Sequence, residues 1–179
     1  MDTQTSDNDL ARLAAKGDRE AFRQLLERHY DTIYRIAFRF CRHREEAEDA
    51  AQDICVSLPA KLKSYEGRSA FSTWLYRVVL NRVRDIKRSQ VTAARAHTEY
   101  GEVDYLRKEE EKATKREIAW LNELMEQLPQ DLSETAVLVV GEGMNHREAA
   151  DVLGLRESTI SWRMGELKKA LRQMAKEDA

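Results

Sequence analysis

The chain has 179 residues, enough for one medium domain or two small ones, and 42% hydrophobic residues supply compact cores rather than disorder. Seven glycines, two prolines and 35% charged residues favour helices over a sheet-rich fold. The net charge of −2 excludes a uniformly basic coat but not a local one, and the absence of a long apolar run or a secretory signal makes a cytoplasmic protein without membrane insertion the expectation.

In chain order, Ser6 to Asp9 resembles a capping box, and Leu10, Leu13 and Ala14 follow at helical spacing. Gly17-Asp18 predicts a stop and a restart, glycine ending one helix in the left-handed region and Asp capping the next. Phe22, Leu25, Leu26, Ile33, Tyr34, Ala37 and Phe38 then keep one broad apolar stripe. A third helix is expected near Glu45. Its inner stripe would be Ala47, Ala51, Ile54, Leu58 and Leu62, leaving Glu48, Asp49, Gln52, Asp53 and Val56 outward. An apolar residue framed by acids and an amide suits a basic protein partner, with a solvated acidic face as the alternative.

"SYEGRS" (Ser64–Ser69) predicts a loop, and its Tyr65, Glu66, Gly67 and Arg68 could hold an unstacked base. The helix from Phe71 buries Phe71, Leu75, Val78, Val79 and Ile86 on one side. On another, Arg77, Asn81, Arg84 and Arg88 recur at i, i+4, i+7 and i+11. Three guanidiniums around one amide fit a phosphate backbone plus a base edge, with a plain solvated basic face as the alternative. Residues 91–115 have few large apolar residues and an acid-rich second half, and they predict a flexible linker with room for some helix.

In the last third, Ala150, Gly154 and Ile160 stand at helix-turn-helix spacing: a small residue where two helices cross, a glycine for the positive φ of the turn, and an anchor for the second helix. Asn145 and Glu148 form its cap. Ile160, Met164, Leu167 and Leu171 face inward, so Trp162 points outward, flanked by Ser158, Gly165, Glu166 and Lys169, with Arg163, Lys168 and Arg172 at the sides for phosphates. Such a face offers an aromatic and an acid where Arg would read guanine. Cys41 and Cys55 are expected to be small core residues. No ligand spacing assigns a metal or cofactor, and the scattered histidines carry no enzyme motif.

Taken together, "KGDREAF" (Lys16–Phe22), "AEDAAQDI" (Ala47–Ile54), "FSTWLYRVVLNRVRDIKR" (Phe71–Arg88), "LPQDL" (Leu128–Leu132) and the helix-turn-helix resemble, in order and separation, a sigma factor of bacterial RNA polymerase of the extracytoplasmic-function class. The resemblance implies an all-α, two-domain protein without catalysis: a region 2 bundle over 1–90, a linker over 91–115 and a region 4 helix-turn-helix over 116–179. It implies that Glu48, Asp49, Gln52, Asp53 and Val56 dock core RNA polymerase. It assigns Tyr65, Gly67, Arg68, Ser69, Arg77, Asn81, Arg84 and Arg88 to the −10 element of promoter DNA, Asn81 lying near a flipped base. Ser158, Thr159, Trp162, Arg163 and Lys169 go to the −35 element, and an anti-sigma factor is the expected regulator.

Departures from the family stand out: Ser133 replaces a usual Arg, Ser161, Gly165 and Glu166 stand at commonly basic or polar positions, and Pro59 could kink or stop its helix. They keep open a sigma-like decoy that sequesters an anti-sigma protein without reading promoters. A free-standing repressor would need a dimerisation segment, and none is visible.

Overall fold

The computed structural model describes residues 5–96 and 127–177. Every regular element among them is helical. The chain divides into two compact units, one comprising Met1–Ser89 with Asp151–Gly154, the other Gln90–Ala150 with Leu155–Ala179. No described helix is long and apolar enough to cross a membrane.

In the first unit, α1 (Asp7–Ala15) starts where Ser6 Oγ accepts from the Asp9 amide at 3.2 Å, the expected cap. Gly17, at φ +97°, breaks the chain, and Asp18 caps α2 (Arg19–Cys41) by accepting from the Glu20 and Ala21 amides at 2.9 and 3.0 Å. The helix α3 (Arg44–Leu62) buries Ala47, Ala51, Ile54, Leu58 and Leu62 as its periodicity requires. Pro59 does not stop it. The residue is exposed and the helix runs on to Leu62, at the cost of the intrahelical hydrogen bond its amide would make.

The stripe of α2 is narrower than expected: Leu25, Ile33, Ile36, Ala37 and Phe40 are buried, while Phe38 is 42% exposed. Leu13 of α1 likewise faces out. Helix α4 (Phe71–Ala96) is longer than its apolar pattern indicates, and the first residues of the expected linker, 91–96, continue it. The rest of that linker lies outside the described residues.

After α4 the described chain forms α5 (Gln130–Ala136), a π-helical turn (Val137–Gly141), α6 (His146–Leu153), whose last residues group with the first unit, and α7 (Glu157–Glu177). The core of the second unit joins Leu128, Ala136 and Leu167, with Met164, Ala170, Leu171 and Met174 packed against them. Cys41 is buried and Cys55 partly so, and burial pushes the Cys41 thiol up to about 11, which keeps it protonated and inert.

Candidate polymerase and promoter interfaces

The outward face of α3 is as its spacing predicts. Asp49, Gln52 and Asp53 are exposed, and Val56 is 83% exposed, far more than an aliphatic side chain needs to be in a packed bundle. Glu48 is tied to Arg44 at 2.7 Å, one helical turn back. Asp53 forms an ion pair with Arg82 of α4. The two helices border a concavity of about 310 Å³ lined by Glu46, Asp49, Gln52, Asp53, Arg82 and Ile86. Five of those six residues are polar or charged, so the hollow suits a hydrogen-bonding partner better than an apolar one.

On α4 the arginine line splits from the core as expected: Phe71, Leu75 and Val79 are buried, Asn81 and Arg88 are exposed, and Arg77 and Arg84 are half-buried. Asn81 Oδ1 lies 3.5 Å from the Arg84 guanidinium, and Arg88 pairs with Asp85 at 3.4 Å. Both are long, exposed interactions worth little against a phosphate partner. Arg82, which the ladder leaves out, turns instead toward α3.

The loop before α4 corrects one expectation. Tyr65 is 8% exposed, its ring 5.9 Å from Phe71 and 5.4 Å from Trp74, so it is part of the core and its face is not open to a base. Its hydroxyl proton is shared between the Ser69 carbonyl at 2.8 Å and Asn8 Oδ1 at 3.0 Å. Burial pushes that hydroxyl's pKa up, against the lowering pull of Arg12, and it stays a donor. What remains at the surface is the tip: Gly67 at φ +70°, a conformation that favours glycine, and Arg68, paired with Glu66 at 2.5 Å. Ser69 is half-buried and contributes its backbone carbonyl.

The helix-turn-helix is built as its sequence specifies. Asn145 and Glu148 cap each other reciprocally, each amide reaching the other's side chain at 2.9 Å. Gly154 turns the chain at φ +68°, and Ala150 and Ile160 are buried. A hydrogen bond of 2.8 Å between His146 Nδ1 and Ser161 Oγ joins the two helices. Trp162 is 61% exposed, with Ser158 exposed and Thr159 half-buried nearby.

Arg163 is the second correction. Its side chain is only 16% exposed and turns to α5, pairing with Asp131 at 3.4 Å and reaching that residue's carbonyl at 3.5 Å. It braces the module from within instead of extending to DNA. Lys169 is exposed but holds Glu166 at 2.7 Å. Ser133 is 4% exposed, packed within the module.

A helical bundle with an acid-framed apolar face and an arginine line, followed by a helix-turn-helix, is the architecture of a transcription initiation factor. Residues 25–92 match the Sigma-70 region 2 family. The RNA polymerase sigma-H factor of Pseudomonas aeruginosa is 30% identical, over 96% of this chain and 94% of its own length. The extracytoplasmic-function sigma factor SigM of Mycobacterium tuberculosis is 28% identical over 94% and 84%. The structure of CnrH in complex with the cytosolic domain of CnrY superposes with a TM-score of 0.73 at 28% identity, covering 98% of this chain and all of that one. A curated CnrH comes from Cupriavidus metallidurans. The chain belongs to the sigma-70 family of RNA polymerase sigma factors, in its extracytoplasmic-function class.

Proposed function

We propose that the outward face of α3, with Glu48, Asp49, Gln52, Asp53 and Val56, docks core RNA polymerase. The loop tip at Gly67, Arg68 and Ser69 together with Arg77, Asn81, Arg84 and Arg88 of α4 engages the −10 element. In a region 4 domain over 116–179, Ser158, Thr159, Trp162 and Lys169 of α7 meet the −35 element. Tyr65 and Arg163 serve these surfaces from beneath, one holding the loop and the other bracing α7. A protein partner that covers these faces and silences the factor, as an anti-sigma factor would, completes the proposal. The solved complex of CnrH with CnrY is its precedent.

The observation that carries the reading is Val56: an aliphatic side chain 83% exposed, framed by Asp49, Gln52 and Asp53, one helix away from an arginine line of the opposite charge. Two adjacent faces of opposite sign call for two different partners, one basic and one a polyanion. The chemistry is binding, and sigma factors are transcription regulators rather than enzymes.

One observation favours a second reading, the decoy. Arg163 and Lys169 of α7 are both committed to acids of this chain, which leaves less charge for phosphates. Transcription with purified core polymerase on a promoter library separates the two. A sigma factor starts transcripts at a defined subset of fragments, and Val56→Asp abolishes them by weakening core binding. A decoy binds its protein partner and starts none.

A further inference from the structure

We infer that α1 is a positioning element for the −10 loop, with Asn8 as its central residue and Arg12 as its outer brace. This rests on the reading that the loop and α4 act on the −10 element.

Asn8 sits one residue into α1, and its side-chain oxygen reaches a segment more than fifty positions away. It accepts from the backbone amide of Phe71 at 2.8 Å, the first residue of α4, and lies 3.0 Å from the Tyr65 hydroxyl. The amide of Phe71 belongs to the first turn of α4, where intrahelical acceptors are lacking, so Asn8 caps α4 from another helix. A backbone N–H needs an acceptor, which fixes the orientation of the Asn8 amide with its oxygen inward. The Tyr65 hydroxyl in turn reaches the Ser69 carbonyl at 2.8 Å and closes the loop across its own base. One side-chain oxygen therefore pins both ends of the loop.

Arg12, one turn further along α1, lies over the tip. A Cβ added at Gly67 would stand 3.1 Å from its Nη2, so the guanidinium occupies the space a side chain would fill. The first turn of α1 is itself fastened to α2. Asp7 accepts from Arg28 and pairs with His29, both at 2.8 Å, and the His29 ring meets Phe71 edge-on at 5.1 Å. Burial pushes the Asp7 carboxyl up, but the hydrogen bonds and charges of Arg28 and His29 outweigh it and hold its pKa below the ordinary value. The Glu66-Gly67-Arg68 tip is thus presented on a frame that α1 holds at both ends. A group that orders a recognition loop reduces the entropy lost when the loop engages its target.

The test uses holoenzyme assembled from full-length protein and core polymerase, on a promoter fragment selected by the wild type and carrying 2-aminopurine in the −10 element. Core affinity is measured in parallel. Asn8→Ala is expected to slow promoter opening about tenfold, the scale of a lost helix cap, with core affinity within about twofold of wild type. Asn8→Asp keeps the acceptor and places a negative charge at a helix N-terminus, so it is expected to open within about twofold of wild type. Arg12→Ala removes an exposed guanidinium and no buried group, and a slowing of roughly threefold is expected without risk to folding.

The inference is overturned if Asn8→Asp is as defective as Asn8→Ala, or if core affinity falls in step with opening, since both mark general damage to the bundle. It is also overturned if Asn8→Ala and Arg12→Ala open normally while Asn81→Ala, in the same assay, is defective. If Asn81→Ala opens normally as well, the −10 assignment of this surface fails first and the positioning role falls with it.

Discussion

Helices α4 and α7 are the two long helices assigned to DNA, and they are built on different principles. On α4, Arg77, Asn81, Arg84 and Arg88 follow one line along the helix, Arg77 donating to the Asp151 and Val152 carbonyls. On α7, Arg163 is turned inward to Asp131, Lys169 is held by Glu166, and the exposed large hydrophobic is Trp162. The first is equipped for a phosphate backbone and the second for apolar or shape contact with base edges. A weakly basic second reader can still serve, because a helix tethered to a complex already on the promoter meets its site at high effective concentration. On the proposed assignment, promoter affinity and promoter discrimination fall to different helices of one chain.

The sharpest way to break this comparison is to ask whether Trp162 is surface or support. Ile160→Ala, at a fully buried site, is expected to destabilise the second unit by about 2–5 kcal/mol in urea melts. Trp162→Ala, at an exposed one, is expected to stay within roughly 0.5 kcal/mol of wild type. A large loss from Trp162→Ala would move that residue into the structure of the module and out of its reading face.

The electrostatic half of the comparison is read from salt. Replacing Arg84 and Arg88 together by Ala is expected to flatten the log–log salt dependence of holoenzyme binding by about 1.8, at ~0.9 per phosphate. Lys169→Ala, whose charge is offset by Glu166, is expected to change it by less than about half of one phosphate contact. Equal slopes for the two variants would erase the distinction between the helices.

A smaller effect concerns the fastening of the first unit. Asp7, paired with Arg28 and His29, has its pKa lowered from 3.8 in the folded state. Its contribution is therefore full above that value and is lost as pH falls through the depressed folded pKa. Asp7→Asn is expected to cost about 0.5–1 kcal/mol at pH 7, discounted for partial exposure, and the gap should shrink toward zero in melts below the folded pKa. Smallest is Gly165→Ala. A Cβ there meets nothing within 4 Å and the helix needs no glycine, so a gain of about 0.5–1 kcal/mol is expected. If the same change weakens promoter binding, the glycine is there to let DNA approach closely.

Much of this was legible in the sequence because it is local. Ser6, Asp18 and the Asn145–Glu148 pair cap their helices as their types and spacing require, and Gly154 and Ile160 set the helix-turn-helix. What was not legible depends on partners far along the chain. Tyr65 looks like a base-stacking residue in a glycine-containing loop, and only the fold brings Asn8 and Phe71 beside it. One signal was available: Leu58, Leu62 and Tyr65 continue the inner stripe of α3 at helical spacing. Arg163 lies at the edge of the α7 stripe, where periodicity alone assigns it to either side, and its acid is 32 residues earlier. Asn8, Arg12 and Arg82 carry no motif of their own, and their roles appear only in three dimensions.

The most direct test of the account is promoter selection from a randomised library by holoenzyme carrying the wild-type chain, Asn81→Ala or Trp162→Ala. The account expects Asn81→Ala to change the selected sequence at the −10 element alone and Trp162→Ala to change it at the −35 element alone. If both variants select the wild-type sequences, or the wild type selects none, neither helix reads the promoter and the central claim fails.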